Sequence, residues 1–129
     1  MRTIKREIIQ CMTNTGFSDQ ELTAHFIFPD DFVGFQGHFP SKKLLPGVCQ
    51  IQCITCMLEQ WKSTSVALRE IVYAKFFTPV FPLEELTCEC RDIHNTDEEC
   101  TVKAFIRKGN QKVAEMKLRF SFCDRKKNL

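Results

Sequence analysis

The chain has no run of about eighteen apolar residues, the length that a membrane-spanning helix needs. Its first ten residues, MRTIKREIIQ, carry a basic residue, Arg2, near the start. Lys5, Arg6 and Glu7 interrupt any apolar segment, so these residues do not resemble a secretory signal. Charge of one sign is not in large excess either, because the formal net charge is only +2. We therefore expect a cytoplasmic protein with no membrane span and no nucleic-acid partner.

Internal repeats, low-complexity tracts and linkers are also missing. The chain has 129 residues, of which 43% are apolar, and twelve of them are phenylalanine. This length and composition suit a packed globular protein with a single core. We expect one domain over residues 1–129.

Eight cysteines occur without a secretory signal, which predicts reduced thiols rather than a disulfide framework. Cys49, Cys53 and Cys56 form a C-x3-C-x2-C pattern, which is also the spacing that holds a 4Fe–4S cluster in radical SAM enzymes. Here the three lie at i, i+4 and i+7 of an apolar segment predicted to be helical, which favours packing in the core. The sequence has no histidine–cysteine set with zinc spacing. We expect no metal and no organic cofactor.

The first half of the chain predicts two strands and a helix. Residues 4–12 and 20–28 are typical of strands, and the segment NTGFSD between them is typical of a turn. From Pro46 to Trp61 the pattern becomes helical, with proline in the first turn and apolar residues on all sides. A helix that is apolar all round is expected to be buried.

The second half predicts four strands, because apolar and polar residues there alternate with a period of two. The four lie at 65–77, 85–91, 99–107 and 114–122, with KGNQ as a hairpin turn before the last. Two strands, a buried helix and four antiparallel strands predict an α+β fold. Its six-stranded sheet would curve around one central helix.

One of the three histidines stands out as a candidate for chemistry. His38 lies in a loop that contains Gly37, and the loop leads to a helix start at Gly47. Glycine lets the backbone approach a ligand closely, and the N–H groups of a helix start can polarise a carbonyl oxygen. His25, within a predicted strand, and His94, in a predicted turn, are expected to be structural or solvated.

A family resemblance follows from this loop. His38-Phe39-Pro40 followed by Leu45-Pro46-Gly47-Val48 resembles the H-F-P-x-x-P-(I/V/L)-(M/L)-P-G-(V/C) signature of the 3-hydroxyacyl-[acyl-carrier-protein] dehydratases, which have the hotdog fold. The later segment AKFFTPVFPLEELTCEC is similar to a strand–turn–strand segment of the same family. The variant LLPGVCQIQ is most similar to thioester dehydratases of fatty-acid-like and aryl-polyene gene clusters.

The resemblance implies a reaction and roles for particular residues. His38 would remove the α-proton of a 3-hydroxyacyl thioester, with its other ring nitrogen held by a backbone carbonyl near Leu44. The N–H of Gly47 would bind the thioester oxygen, and the substrate would also contact Gly37, Phe39 and Val48. The product would be a 2-enoyl thioester in fatty-acid or polyene-type synthesis.

The sequence departs from the family at the position of the catalytic acid. Fourteen residues after the histidine the family carries Glu or Asp, normally facing the site of a second subunit, and here that position is Gln52. An amide has no carboxyl proton to donate, and general acid catalysis contributes about 10²–10⁴-fold. Glu59 would lie about 10 Å further along the helix axis, too far for direct transfer. Ser41 and Lys43 replace the usual Gly and Pro of the loop.

Three interpretations stay open from the sequence. The chain is a working dehydratase with Gln52 or water as a weak partner, a catalytically reduced subunit that pairs with an active paralogue, or a thioesterase or acyl-binding protein of the same fold. A shared site predicts a homodimer, a higher oligomer or a heteromer with a paralogue. The substrate's acyl carrier protein would be acidic, so Lys42 and Lys43 either help it dock or are simply solvated.

Overall fold

A computed structural model of the protein describes residues 3–35 and 43–123. Within them the chain forms two α-helices, a short 3-10 turn and six strands. In chain order the elements are α1 (Ile4–Cys11), β1 (Met12–Phe17), β2 (Leu22–Ile27), the 3-10 turn (Val33–Phe35), α2 (Gly47–Lys62), β3 (Val66–Phe76), β4 (Glu85–Asn95), β5 (Glu99–Lys108) and β6 (Gln111–Phe122).

The six strands form one antiparallel sheet in the order β1-β2-β4-β5-β6-β3. Strand β6 shows why the sequence specifies this sheet, since Ala114, Met116, Leu118 and Phe120 alternate along it and are all buried. The expected α+β architecture, with six antiparallel strands and a buried helix, is confirmed. Strands β1 and β3 lie at the two edges.

Helix α2 begins and ends where the local chemistry dictates. Pro46 is its N-cap residue, with φ −63° and ψ 151°, and Gly47 is the first helical residue. The helix ends where Ser63 adopts a left-handed conformation with φ 53°. Between these ends Cys53 and Met57 are completely buried, which agrees with the prediction from the apolar pattern.

The prediction of a strand at residues 4–12 is wrong, because Ile4–Cys11 forms helix α1. Thr3 caps this helix, with its Oγ1 accepting a hydrogen bond from the Arg6 N–H at 3.2 Å. Apolar residues recur at Ile4, Ile8 and Cys11, which is the i, i+4, i+7 spacing of a helix face. The buried side chain of Ile8 joins the core from that face. The fold therefore has a second helix beside the central one.

The predicted turn NTGFSD is also misplaced, since most of it belongs to strand β1. This strand is irregular. Asn14 has a positive φ of 49°, and the pairing register with β2 shifts between Thr13 and Gly16. A bulge of this kind carries turn-like residues within a strand, which explains why the segment reads as a turn.

The three cysteines of the C-x3-C-x2-C pattern lie on α2 with their side chains in the core. Burial raises the pKa of Cys53 well above its usual value and that of Cys56 to about 11. Thiolates, the form that binds metals, are therefore disfavoured at these positions. In the described part of the chain, neither helix is long and apolar enough to cross a membrane.

Candidate functional site

A cleft of about 450 Å³ lies between the first half of α2 and strand β3. Its walls are largely apolar, which suits an acyl chain better than a polar metabolite. One wall belongs to the helix, the other to the edge strand, and α1 contributes one residue. The lining residues are Lys5, Gly47, Val48, Ile51, Gln52, Thr55, Val66, Leu68, Ile71, Ala74 and Phe76.

A smaller cleft of about 170 Å³ adjoins the first on the side of α1. It is lined by Ile4, Lys5, Val48, Cys49 and Gln52, so three residues, Lys5, Val48 and Gln52, line both clefts. Lys5 and Gln52 thus lie where the two apolar spaces meet. A ligand that enters either space encounters both side chains.

The start of α2 forms one end of the larger cleft. The first N–H groups of a helix have no partner within it, and Pro46 offers no side-chain capping hydrogen bond. A Cβ added to Gly47 would lie 2.8 Å from the ring of Phe76, so glycine allows this aromatic ring to approach the helix start. A partial positive charge from the helix therefore faces an apolar space.

Gln52 lies about one turn further along α2, four residues before Cys56. The pKa of the Cys56 thiol is raised to about 11, mainly by burial and then by the charge of Glu59, against smaller lowering effects of Lys5 and Gln52. Four groups on α1 and α2 therefore lie close enough to influence one another. We call Lys5, Gln52, Cys56 and Glu59 the polar row.

Glu59 ends the polar row and ties three elements together. Its Oε1 pairs with the Lys5 ammonium at 2.7 Å, and its Oε2 accepts a hydrogen bond from the Val66 N–H at 2.9 Å. Only 12% of the Glu59 side chain is exposed. Both carboxylate oxygens are therefore engaged in holding α1 and the start of β3 against α2.

A second anchor holds α1 to the segment that precedes residues 36–42. The Oε1 of Glu7 accepts a hydrogen bond from the Val33 N–H at 3.0 Å, at the start of the 3-10 turn. Helix α1 is thus attached to α2 through the Lys5–Glu59 pair and to the 3-10 turn through Glu7. The helix therefore contributes one residue to the cleft, Lys5, and one to the core, Ile8.

The sequence matches a known family over most of this structure. The profile of the ApeI-like family, described as ApeI dehydratase, matches residues 13–119, which include β2, helix α2 and every residue that lines the larger cleft except Lys5. The chain belongs to the ApeI-like dehydratase family. The resemblance inferred from the histidine loop is thereby confirmed at the level of the family.

Related proteins agree with this assignment. The 3-hydroxyacyl-[acyl-carrier-protein] dehydratase FabZ of Ehrlichia chaffeensis is 30% identical over 89 residues, covering 65% of this chain. The match spans only 62% of the length of that relative.

Solved structures show the same fold. The dehydratase heterocomplex ApeI:P from Xenorhabdus doucetiae is similar with a TM-score of 0.69 and 20% identity, covering 85% of this chain and 96% of that one. A putative thioesterase, yhdA from Lactococcus lactis, has a TM-score of 0.72 and 12% identity, covering 97% and 99%. At such identities the likeness establishes the hotdog fold and not the reaction.

The predicted site residues of this ApeI-like chain fall into two groups. Gly47, Val48 and Gln52 line the larger cleft together, at the helix start and one turn beyond it. Gly37, His38 and Phe39 lie outside the described residues, as do Ser41 and Lys42. The expected relation between the histidine and the helix start therefore stays a prediction.

Other polar residues named from the sequence have different surroundings. Lys43 pairs with the carboxylate of Asp30 at 2.7 Å and also donates to its backbone carbonyl, so its charge is already matched. The His25 ring lies 3.4 Å from the Thr87 hydroxyl, and neither residue lines the clefts. His94 lies within β4 and not in a turn as predicted, because that strand extends to residue 95.

Sequence reasoning missed Lys5 as a site residue. The sequence predicts a strand at residues 4–12, in which Lys5 would alternate with apolar neighbours. The i, i+4 spacing of Ile4 and Ile8 was the available signal, because it is typical of a helix. In that helix Lys5 lies beside α2. Its contact with Glu59, 54 positions later, is a tertiary relation that local patterns do not reveal.

Proposed function

We propose that this chain is a dehydratase subunit that removes water from a 3-hydroxyacyl thioester to give a 2-enoyl thioester. The observation that carries the proposal is the apolar cleft that ends at the start of α2, where Gly47 is the first helical residue and Pro46 makes no side-chain capping hydrogen bond. Family membership supports the reaction type, and the FabZ relative by its name acts on an acyl group held by an acyl carrier protein. We propose the same class of substrate here.

The helix start would stabilise the charge that develops during the reaction. Removal of the α-proton places negative charge on the thioester oxygen, and the N–H of Gly47 would donate a hydrogen bond to it. The positive end of the helix dipole adds to this stabilisation, and the apolar walls around Phe76 strengthen it by excluding water. The acyl chain would lie between Ile51 and Leu68.

His38 would act as the base that removes the α-proton. This role rests on the match of His38-Phe39-Pro40 to the family signature, with Gly47 nine residues later. Imidazole is a suitable base near neutral pH because its ordinary pKa is about 6.5. Gly37 and Phe39 would shape the substrate side of this loop.

A second subunit would complete the site. Strand β3 lies at an edge of the sheet, where one row of its backbone hydrogen-bonding groups faces away from β6. Ile71 and Phe76 on this strand are each 47% exposed, which is unusual for large apolar residues beside a cleft. Pairing of two β3 strands would cover both and place the clefts of the two subunits side by side.

The partner is a second copy or a paralogue, and Gln52 bears on the choice. The family's acid is replaced by an amide here, so a paralogue with Glu or Asp at that position would restore it opposite this chain's histidine. The similar Xenorhabdus structure is by its title a heterocomplex. We propose the homodimer as the simplest assembly and the heteromer as the second candidate.

The test is a mass-spectrometric assay of the purified chain with a 3-hydroxyacyl acyl carrier protein, alone and mixed with candidate paralogues. Loss of 18 Da from the acyl group, measured against a reaction without enzyme, is the expected result. His38→Ala should abolish it. Thioester hydrolysis instead of water loss would contradict the proposal and favour a thioesterase.

A further inference from the structure

Lys108 and Glu84 form an ion pair against the loop that joins β3 to β4, residues 77–84. Lys108 is the last residue of β5, and only 15% of its side chain is exposed. Its ammonium donates to the Glu84 carboxylate oxygens at 3.0 and 2.9 Å and to the Pro79 carbonyl at 3.0 Å. These three acceptors match the three N–H donors of an ammonium. The lysine therefore binds the backbone of the loop as well as its charged partner.

The pair holds two successive peptide groups of the loop, those on either side of Val80. The first contains the Pro79 carbonyl, to which Lys108 donates. The second contains the N–H of Phe81, which donates to the Glu84 Oε1 at 2.7 Å. A peptide group is planar, so its N–H and its C=O turn together. Glu84 therefore also orients the Val80 carbonyl, which shares a peptide group with the Phe81 N–H.

The Val80 carbonyl is the point at which this loop holds the segment before α2. It accepts a hydrogen bond from the Leu45 N–H at 2.9 Å. Leu45 and Val80 are 5% and 1% exposed, so water does not compete for this bond. Only Pro46 separates Leu45 from Gly47, the first residue of α2, and the proline ring restricts rotation of the backbone between them. The position of the loop is therefore transmitted to the helix start.

The conformation of Leu83 shows that hydrogen bonds maintain the shape of this loop. Leu83 has a positive φ of 70°, which residues other than glycine disfavour. Its side chain is 68% exposed, so packing does not account for this conformation. Its N–H donates to the Phe28 carbonyl at 2.8 Å, and Glu84 follows it directly. A disfavoured backbone conformation persists where surrounding interactions over-determine it, and the pair supplies part of them.

We infer that Lys108 and Glu84 are positioning residues for the carbonyl-binding start of α2. This role rests on the proposed function, in which the Gly47 N–H donates a hydrogen bond to the thioester oxygen. Such a bond weakens steeply when its donor turns away from the acceptor. Neither Lys108 nor Glu84 lines the cleft, so the pair acts through the loop and Leu45. Loss of the pair loosens the helix start, whereas the apolar walls of the cleft keep their contacts with a ligand.

Two ligands that differ by one oxygen isolate the contact with the helix start. The first is a pantetheine thioether with a 2-oxoalkyl chain, which keeps a carbonyl but can neither lose water nor be hydrolysed. The second carries the same chain without the oxygen. Calorimetry gives the two dissociation constants, and their ratio measures what the carbonyl contributes to binding. A lower folded fraction weakens both ligands equally, so a purely structural effect of a substitution leaves the ratio unchanged.

Lys108→Met removes the ammonium and keeps an unbranched side chain over the loop. The preference for the ligand with the carbonyl should fall about two- to tenfold, the contribution of one hydrogen bond. Glu84→Gln is a milder variant that guards against a failure to fold, because its amide oxygen can still accept from the Phe81 N–H. It should lower the preference too, since a neutral amide holds the ammonium less firmly.

Lys112→Met is the matched control, since Lys112 lies on the same hairpin between β5 and β6. Its ammonium is 5.3 Å from the ring centre of Phe77, as that of Lys108 is 5.7 Å from the ring centre of Phe81. In the described contacts it donates to Glu115 of β6, at 3.4 Å, instead of to the loop backbone. The ratio for this variant should equal that of the wild-type protein.

Hydrogen exchange at Leu45 gives a second readout, which needs no ligand. The bond to the Val80 carbonyl protects the Leu45 N–H. Lys108→Met should speed exchange there by about tenfold or more relative to the amides of β6, which lies between β5 and β3 and reports global unfolding. Equal acceleration at Leu45 and in β6 would assign the pair to overall stability alone and overturn its positioning role.

The remaining outcomes separate this role from the function on which it rests. A wild-type protein that binds neither ligand contradicts the proposed function, and the positioning role falls with it. If the wild-type protein binds both ligands and the ratio for Lys108→Met stays within about twofold of the wild-type ratio, only the role of the pair is overturned. An equal fall in Lys112→Met overturns it as well, because the effect would then come from the charge of the hairpin.

Discussion

The backbone of Gly47 lies so close to the ring of Phe76 that an added Cβ would be 2.8 Å from the ring. This contact joins the start of α2 to the end of β3 and closes one end of the cleft. The ring is 47% exposed, so it can move aside. A larger side chain at residue 47 should therefore change the shape of the cleft more than it lowers the free energy of unfolding.

Gly47→Ala tests the shape of the cleft. We expect the free energy of unfolding to change by less than about 1 kcal/mol, because alanine favours the helix by up to that amount while the ring of Phe76 shifts. Binding of a 3-hydroxyacyl pantetheine should weaken about tenfold or more. Urea unfolding and calorimetry measure the two quantities. Unchanged binding would contradict the placement of the thioester at the helix start.

Gln52→Glu tests whether the amide marks a lost acid. A carboxyl group at this position should raise the dehydration rate by about 10²-fold, the lower end of what general acid catalysis contributes. Gln52→Leu is the matched control, since it removes the amide without adding a proton donor, and it should lower the rate. A rate for Gln52→Glu equal to wild type would argue against the alignment with the family's acid.

The sequence predicted the elements that depend on local patterns. Strand β6 follows from its strict alternation, and α2 follows from Pro46, Gly47 and the apolar run after them. Helix α1 did not follow, because its eight residues contain too few apolar positions to separate a period of two from one of 3.6. Tertiary attachment through Glu7 and Lys5 supports it instead.

The candidate site was predictable on its α2 side and not on its other sides. Gly47, Val48 and Gln52 line the cleft, as expected from a motif read along the chain. The opposite wall, with Leu68 and Ile71, depends on how β3 lies against the helix after pairing with β6. Such long-range packing leaves no short motif in the sequence.

Gln50→Leu tests a different glutamine, one turn from the helix start. Gln50 is only 3% exposed, and its Oε1 has no hydrogen-bond partner in the described structure. A buried unsatisfied acceptor costs about 1–3 kcal/mol, so leucine should raise the free energy of unfolding by roughly that amount. Urea unfolding measures the change.

Thr55→Val is the control for that substitution. Thr55 is also buried in α2, but its hydroxyl donates to the Ile51 carbonyl at 3.1 Å and is therefore satisfied. We expect a change within about 1 kcal/mol of zero. A loss of stability in Gln50→Leu would contradict the inference that the Gln50 amide is unsatisfied in the folded protein.

The last prediction concerns the edge strand. Ile71 lines the cleft, whereas Val72 next to it is as exposed, at 48%, but does not line it. If two β3 strands pair, Ile71→Lys places a charge in the buried part of the interface, while Val72→Lys leaves it on the outer face. Light scattering at micromolar concentration should report a dimer for wild type and Val72→Lys and a monomer for Ile71→Lys. A monomeric wild-type protein would refute a homodimeric site. Because a dimer of Ile71→Lys would place the interface elsewhere, the pair of variants locates the interface as well as detecting it.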